Sequence, residues 1–415
     1  MKDARLAAFD LLYSILKDGA YSNIAIDKAL CDVSAKDKGL VSNLVYGVIE
    51  RKITLDFLID KYLDIKPKPK VKLVLYIGAY QLYFMDKIPS SAAINTSVEL
   101  AANVGMAYYK KLVNAVLHKI DDNRIDIDEI EDLSVKYSCP THLINMWKKG
   151  YGEENTLKIL SAINGRPPVF AIPNTLYLDA EELQYELLNC GIECEIADGA
   201  VMINSHFDLN SCKQFENGLF HIQDLSSFKC ATALEAKDGD TVLDICSAPG
   251  GKAFTIAERM NNTGCVYAFD LHEHRVRLIA DGAKRLGITN IKAQVNDALE
   301  YNPDIPKCDR ILCDVPCSGF GIIRRKPEIR YKELDSVKEL PKTQYKILKT
   351  SSMYLKDGGR IIYSTCTLNK RENEKVVERF LNENEDFTLV FDKTFYPEAN
   401  GGDGFYFAVM EKKND

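Results

Sequence analysis

Two cysteine residues lie directly after strand-like runs, each in a setting suited to attack on an electron-poor ring. Cys317 stands in the sequence Asp-Val-Pro-Cys-Ser-Gly that begins at Asp314, and Cys366 follows the apolar run of residues 361–363 and Ser364-Thr365. The thiolate is the nucleophilic form of cysteine and can form covalent intermediates. Pro316 fixes its own φ and lacks an N–H donor, which makes the loop before Cys317 rigid. The two thiols predict covalent catalysis on a nucleic-acid base.

A glycine-rich turn lies upstream of both thiols and follows the strand-like run of residues 241–245. Glycine allows a backbone to approach a ligand closely. The turn is neither G-x-x-x-x-G-K-[ST] nor G-x-G-x-x-G, so it favours a nucleotide-like ligand without phosphates, such as S-adenosylmethionine. Asp270, 20 residues after Gly250, is placed to accept hydrogen bonds from ribose hydroxyls, and Asp297 to meet the adenine. The residues expected to bind this cofactor are Cys246, Ser247, Ala248, Pro249, Gly250, Gly251, Lys252, Asp270, Asp297 and Asp314.

A thiol beside a methyl donor indicates methylation of a carbon atom. C5 of cytosine is a weak nucleophile, and addition of a thiolate to C6 gives an enamine that is reactive at C5. The addition requires a proton or a strong hydrogen bond at N3, which a carboxyl group such as Asp314 can supply. On the residues alone, either Cys317 or Cys366 can be the nucleophile. The remaining cysteines near these strands are expected to be small buried hydrophobic residues: Cys230, Cys246, Cys265, Cys308 and Cys313.

The elements that must position these residues change character along the chain. Residues 236–415 predict an α/β Rossmann-like domain, because strand-like runs at 241–245, 265–270, 291–295, 310–314 and 360–364 alternate with helical stretches. Ligands bind outside the carboxyl ends of such parallel strands. Residues 126–235 predict linker helices and a small α+β unit, and apolar residues spaced by three and four predict an all-helical domain over 1–125.

The composition excludes several classes of protein. No apolar run approaches the ~20 residues that span a membrane, and the first residues do not have the pattern of a signal peptide. Twelve cysteines without such a signal predict a reducing cytoplasm. The spacing of Cys308, Cys313 and Cys317 matches no common zinc pattern, so we expect no metal. The net charge of −7 means that any nucleic acid must be bound by a local basic patch.

These motifs together resemble the bacterial ribosomal RNA small-subunit methyltransferase B family. The resemblance rests on residues 244–252, on 314–319, on the Thr-Cys sequence at 364–367 and on the strand signature at 402–408. It implies a class I methyltransferase domain and a NusB-like RNA-binding domain at the N-terminus, with 16S rRNA as the substrate and a monomeric enzyme. The family also implies that Cys366 is the nucleophile, that Cys317 assists release of the methylated RNA, and that Asp314 and Lys252 hold the cytosine edge.

A basic segment follows the loop that carries Cys317. Arg324, Arg325, Lys326 and Arg330 are expected to hold RNA phosphates close to the flipped target base. Two alternatives stay open at this point: a cytosine-5 methyltransferase acting on tRNA or another nucleic acid, and a non-catalytic RNA-binding antitermination factor.

Overall fold

The N-terminal part of the chain folds as helices packed on one apolar core. The structure is a computed structural model that describes residues 3–18, 30, 33–205 and 207–414. The chain forms two compact units, the first comprising Met1–Lys148 with Arg325–Lys332 and the second Lys149–Arg324 with Glu333–Asp415. The first unit contains helices α1 (Ala4–Asp18), α2 (Lys38–Asp60), α3 (Pro69–Phe84), α4 (Ser90–Asn103), α5 (Lys110–Asp122) and α6 (Leu133–Tyr137).

The apolar stripes predicted for this unit form its core. Phe9, Leu12, Val41, Leu44 and Val45 are buried, whereas Leu16, at the end of the first stripe, is 38% exposed. Burial of such stripes removes apolar surface from water, which is the main favourable contribution to folding. The helical prediction for this region is therefore confirmed.

The acidic stretch 121–132 is more ordered than a plain linker. The side chains of Asp126 and Asp132 accept hydrogen bonds from the backbone N–H groups of Asp128 and Ser134, respectively. These carboxylates cap the short 3-10 turn Ile127–Glu129 and helix α6. Aspartates at N-cap positions thus order a segment that has few apolar residues.

A segment distant in sequence also belongs to the helical unit. Arg330 is fully buried, and its guanidinium group donates to the carbonyl oxygens of Glu50 at 2.8 Å and Ser138 at 2.9 Å. The Tyr331 hydroxyl donates to the Ile49 carbonyl oxygen at 2.7 Å. Residues 325–332 thus complete the helical unit, which no local pattern in the sequence indicates.

The chain continues through helix α7 (Thr141–Ala162), which Gly152 interrupts with a φ of 81°. A four-stranded antiparallel sheet follows in the order β2-β3-β1-β4. Its strands are β1 (Val169–Pro173), β2 (Cys194–Ala197), β3 (Ala200–Ile203) and β4 (Phe220–Ile222), with helices α8 (Ala180–Asn189), α9 (Lys213–Glu216) and α10 (Leu225–Ala233). Gly191, with a φ of 76°, follows α8 and suits the left-handed conformation that often ends a helix. The small α+β unit is confirmed as an element pattern; its boundary at residue 235 stays a prediction.

A seven-stranded sheet in the order β10-β11-β9-β8-β5-β6-β7 forms the rest of the second unit. Its strands are β5 (Thr241–Asp244), β6 (Cys265–Asp270), β7 (Ile291–Val295), β8 (Cys308–Asp314), β9 (Leu355–Thr365), β10 (Phe387–Phe395) and β11 (Phe405–Lys412). The first five are parallel, and β11 pairs antiparallel with both β9 and β10. Helices α11 (Gly251–Arg259), α12 (Glu273–Arg285), α13 (Leu340–Ser352) and α14 (Glu374–Glu383) alternate with the strands. The predicted parallel sheet is confirmed.

Apolar residues of the central strands are buried on both faces of this sheet, as parallel strands require. The carboxyl ends of β5, β6, β7, β8 and β9 lie along one edge, where the crossover order reverses between β5 and β8. A ligand site is expected at such a point. None of the helices in the described residues is long and apolar enough to cross a membrane.

Candidate active site

The two thiols meet because their strands are hydrogen-bonded neighbours. In the parallel pair β8 and β9, Asp314 lies opposite Ser364, so the loops that follow leave the sheet side by side. The Sγ atoms of Cys317 and Cys366 are 3.1 Å apart, and both side chains are half-buried. The structure therefore brings together the two candidate nucleophiles, which lie 49 positions apart in the sequence.

A half-buried ion pair lies at the end of the same strands. The Lys252 ammonium group is 2.6 Å from Asp314 Oδ2, and the Ser364 hydroxyl donates to Asp314 Oδ1 at 2.9 Å. Burial lowers the pKa of Lys252, but the negative charge of Asp314 outweighs it, and the net shift raises this pKa. Lys252 is accordingly a permanent cation at this site. The Lys252 and Asp314 side chains lie together, which agrees with the shared site that the family resemblance implied.

Glu372 connects the two cysteine loops and was missed by sequence reasoning. Its side chain is fully buried. Glu372 Oε1 accepts from the Ser318 hydroxyl at 2.6 Å and Asn369 Nδ2 at 2.8 Å, and Oε2 accepts from the Ser318 N–H at 2.8 Å and Gln344 Nε2 at 2.9 Å. Four donors fully satisfy a carboxylate that would otherwise be costly to bury.

Further polar contacts fasten the same loops. The hydroxyls of Ser318 and Thr367 are 2.7 Å apart, and Gln344 Nε2 donates to the Pro316 carbonyl oxygen at 2.9 Å. Asn373 binds the Thr365 hydroxyl at 2.6 Å and the Thr367 carbonyl oxygen at 2.9 Å. The signal that could have revealed these residues is the polar run 369–374 directly after the Thr-Cys sequence.

Gly321 joins the two loops at the backbone. Its N–H donates to the Cys366 carbonyl oxygen at 3.1 Å, and its own carbonyl oxygen accepts from the Gly404 N–H at 2.9 Å. A Cβ atom at Gly321 would lie 1.9 Å from the Gly404 carbonyl oxygen and 2.8 Å from that of Cys366. Only glycine allows this approach, which fixes Cys366 relative to the Cys317 loop.

The surroundings of Cys317 disfavour its thiolate form. The hydrogen bond to Cys366 and burial both raise the pKa of Cys317 well above its usual value. Either thiol can be the donor of the hydrogen bond between the two sulfur atoms. Burial also raises the pKa of Cys230, Cys308 and Cys313 to about 12, as expected for inert buried cysteines.

The glycine-rich turn has the shape that close ligand approach requires. Gly250 has a φ of 111°, and a Cβ atom there would lie 2.5 Å from the Phe254 ring. The Ser247 N–H donates to the Phe269 carbonyl oxygen at 2.7 Å, which ties the turn to β6. Helix α11 begins at Gly251, so its first N–H groups point towards this edge of the sheet.

Buried polar atoms at the strand ends fit a cationic, nucleoside-like ligand. Both carboxylate oxygens of Asp244, the Ser247 hydroxyl and the Asn296 Nδ2 are buried without a hydrogen-bond partner. Such groups are costly unless a ligand satisfies them. Burial raises the pKa of Asp244 to about 7, although the charge of Lys252 opposes the shift. An ammonium group bound nearby would compensate this carboxylate.

Asp270 and Asp297 lie at the ends of β6 and just after β7. Asp270 is buried, and Arg275, which sequence reasoning missed, lies 3.2 Å from its Oδ2 and donates to the Ala248 carbonyl oxygen at 2.9 Å. Asp297 is exposed, and its Oδ1 accepts from the Leu299 N–H at 2.9 Å. Arg275 therefore holds Asp270 against the glycine-rich turn.

The basic residues after the Cys317 loop do not all face solvent. Arg324 is buried and donates to the carbonyl oxygens of Glu398, Ala399 and Gly401 at 2.9 to 3.2 Å. Arg330 is buried among helices of the first unit, as described above. The expectation that these two guanidinium groups bind phosphate is therefore corrected, because both hold backbone carbonyls. Arg325 and Lys326 are half-buried and remain candidates.

Within the described residues, no group of three or more His, Cys, Asp or Glu side chains is arranged to hold a metal ion. The features that remain are a parallel sheet with an antiparallel edge pair, a glycine-rich turn after β5, and two thiols with an ion pair at the strand ends. This combination defines a class I S-adenosylmethionine-dependent methyltransferase with two thiols at its strand ends.

Comparison with known proteins agrees with this class. The family model "16S rRNA methyltransferase RsmB/F" matches residues 231–411, and the model "NusB family" matches residues 2–122. The chain is 36% identical to the probable ribosomal RNA small subunit methyltransferase B of Bacillus subtilis (strain 168), covering 98% of each chain. It is 31% identical to the ribosomal RNA small subunit methyltransferase B of Escherichia coli O1:K1 / APEC, covering 99% of each. The chain therefore belongs to the ribosomal RNA small subunit methyltransferase B family.

Solved structures show the same architecture. The crystal structure of PH0851 superposes with a TM-score of 0.82 at 26% identity, covering 99% of each chain. A methyltransferase homolog protein from Pyrococcus horikoshii superposes with a TM-score of 0.61 at 27% identity, covering 68% of this chain and 98% of the other. The resemblance to the family is thus confirmed over the full length, and the chain is an S-adenosylmethionine-dependent enzyme.

Proposed function

We propose that this enzyme methylates C5 of a specific cytosine in 16S rRNA through a covalent adduct between Cys366 and C6 of the base. The observation that carries the proposal is the 3.1 Å separation of the Cys317 and Cys366 Sγ atoms, beside the Lys252–Asp314 ion pair. An enzyme that methylates an exocyclic nitrogen needs neither thiol. Two thiols at adjacent strand ends suit a reaction that forms and then breaks a bond to sulfur.

The ion pair is suited to hold the Watson–Crick edge of the base. A carboxylate 2.6 Å from an ammonium group is an acceptor, so Asp314 receives a hydrogen bond from the exocyclic N4 amino group. The donor towards N3 and O2 is then Lys252, whose raised pKa keeps it protonated. This assignment differs from supply of the N3 proton by Asp314, which the sequence alone suggested.

The thiols then act in turn. The Cys366 sulfur adds to C6, and the electron pair of the C5–C6 double bond makes C5 nucleophilic. S-adenosylmethionine, when bound, supplies the methyl group that C5 accepts. The C5 proton must leave before the C6–sulfur bond breaks and aromaticity returns. Cys317 lies 3.1 Å from the attacking sulfur, and its thiolate, formed when its own proton is lost to solvent, accepts the C5 proton.

The cofactor is held by residues at the neighbouring strand ends. Asp244 faces the cationic part of the ligand, since its buried oxygens are otherwise unsatisfied. Asp270 accepts from ribose hydroxyls, and Asn296 with Asp297 meets the adenine. The turn from Cys246 to Lys252 supplies the close backbone approach.

The substrate proposal follows the relatives. Those named above are ribosomal RNA small subunit methyltransferases, and the part of the chain over residues 1–125 is proposed to bind RNA as a NusB-like domain. We propose a monomer that works in the cytoplasm without a metal ion. A non-catalytic antitermination factor would have no use for the paired thiols. A methyltransferase that acts on tRNA is less well supported, because the relatives named above act on ribosomal RNA.

A methylation assay with two cysteine variants tests the proposal. The wild type with S-adenosylmethionine and unmodified 16S rRNA should yield 5-methylcytidine on nucleoside analysis, and Cys366→Ala should yield none. Cys317→Ala should stall with RNA covalently attached. Cys265→Ala, a half-buried cysteine on β6, is the matched control and should retain activity. Methylation by Cys366→Ala, or of another base, would refute the proposal.

A further inference from the structure

A basic cavity lies in the second unit beside the loop that follows β10. It has a volume of about 510 Å³, and its lining includes the lysines Lys158, Lys229 and Lys393 and the aromatic residues Phe395 and Tyr396. Glu398 is the one acidic residue among the lining residues. Among the lining residues themselves, three cations stand against one anion, on a chain whose net charge is −7.

The lysines are available to an anionic ligand. Lys158 pairs with Glu154 at 2.9 Å and Lys229 with Asp198 at 2.5 Å, and both carboxylates are more than half exposed. Exposed ion pairs of this kind contribute little, because water screens them. The Lys393 ammonium group is 4.7 Å from the centre of the Phe395 ring and is exposed. A phosphate group can therefore replace these partners at small cost.

The aromatic residues add a surface for nucleotides. Phe395 stacks on Phe407 of β11 with ring centroids 5.8 Å apart, which anchors it to the sheet. Tyr396 packs edge-on against Tyr151 at 5.6 Å and is half-buried. Single-stranded nucleic acid is bound by such combinations of cationic groups and aromatic rings.

The cavity wall is tied to the active site through the backbone. Arg324 donates to the carbonyl oxygens of Glu398 and Ala399. Five residues after Ala399, the Gly404 N–H donates to the Gly321 carbonyl oxygen, and the Gly321 N–H donates to the Cys366 carbonyl oxygen. Five extended residues span at most about 18 Å. At about 3.4 Å per stacked nucleotide, that distance corresponds to about five nucleotides. A strand whose target base lies at Cys366 can reach the cavity.

We propose that this cavity binds the phosphate backbone of the substrate RNA a few nucleotides from the target cytosine. The proposal rests on the proposed function, since it assigns a second contact on the same RNA. In this proposal the buried Arg324 positions the loop that forms the cavity wall and does not contact phosphate itself.

The double variant Lys158→Ala/Lys393→Ala tests this site. The dissociation constant for 16S rRNA should rise about tenfold at low salt, and the slope of log affinity against log salt concentration should fall by about 1.4, for two single-strand phosphate contacts. Affinity for S-adenosylmethionine should not change. The matched control is Lys346→Ala/Lys375→Ala, since these two lysines are also exposed and paired with carboxylates. The control should bind RNA as the wild type does.

The outcomes separate this proposal from the proposed function. If the wild type methylates 16S rRNA while the Lys158/Lys393 variant binds RNA with an unchanged constant and salt slope, the cavity is not an RNA site. If the wild type methylates no RNA, the proposed function itself fails. If both double variants weaken RNA binding equally, the effect is one of overall charge, and the cavity assignment is overturned.

Discussion

Glu372→Gln is the most informative single change, because Glu372 holds both cysteine loops and touches no substrate. Each carboxylate oxygen accepts two hydrogen bonds. Glutamine replaces one carboxylate oxygen with an NH₂ group. The two hydrogen-bond donors that pointed at that oxygen then face another donor. The Ser318 hydroxyl can rotate to accept, but the Ser318 N–H cannot. The amide therefore settles with NH₂ on the side of the hydroxyl, where Asn369 loses its acceptor.

One buried donor left without an acceptor costs about 1–3 kcal/mol, and loss of the charge weakens the remaining bonds. We expect a destabilisation of about 2–3 kcal/mol, which lowers Tm by about 4–12 °C in a unit of this size. The Cys317 loop loses part of the hydrogen bonding that holds it in place, so the decrease in kcat should be larger than the change in KM. Covalent RNA–protein adduct should accumulate, as for a defect in Cys317, which a merely structural change would not cause.

Thermal unfolding, steady-state methylation and denaturing gels of the RNA–protein mixture measure these effects. Glu378→Gln, on exposed helix α14 and paired with Lys375, is the control and should shift Tm by less than about 1 °C. A Glu372→Gln enzyme with unchanged Tm and kcat and without adduct would refute the role assigned to Glu372.

Three further predictions concern other parts of the chain. Because burial raises the pKa of Asp244 to about 7 and the ligand is cationic, affinity for S-adenosylmethionine should rise about tenfold from pH 6 to pH 8, and Asp244→Asn should lose this pH dependence. Equilibrium binding at a series of pH values measures this affinity, and a flat wild-type profile would contradict the prediction. Hydrogen peroxide should oxidise Cys317 and Cys366 to a disulfide, with two thiol hydrogens and the peroxide leaving as two waters, and dithiothreitol should restore activity; peptide mapping without reduction should find the link, and Cys317→Ser should not form it. Arg330→Ala should cost roughly 3 kcal/mol of stability by leaving two buried carbonyls unpaired, without changing RNA affinity; a weaker RNA complex at unchanged Tm would restore the original RNA-binding assignment.

Much of the fold could be predicted because its signals are local. The alternation of strands and helices after residue 240 gave β6 and β7 with their observed bounds, and the amphipathic stripes gave the helices of the first unit. The strand β9 is longer than predicted, because residues 355–359 are polar and glycine-rich but pair at Leu355 with Cys308 of β8. The place of Arg330 in the helical unit could not be predicted, since it depends on carbonyl groups about 190 and 280 residues away in the sequence.

The site could be predicted in part for the same reason. Cys317, Cys366, Asp314 and Lys252 each follow a strand, and parallel strands bring their carboxyl ends to one edge. Glu372 has no such signal, because an isolated glutamate in a polar run usually faces water. Its burial depends on donors from three separate segments, which only the folded chain brings together.

The central claim is that Cys366 forms the bond to the base. The most direct test is to incubate the enzyme with S-adenosylmethionine and 16S rRNA that contains 5-fluorocytosine, whose C5 fluorine cannot leave as a proton, and to map the trapped adduct by mass spectrometry after protease and nuclease digestion. A nucleotide adduct is expected on the peptide that contains Cys366 and none on the peptide that contains Cys317. An adduct on Cys317, or no adduct with a methylation-competent RNA, would contradict it.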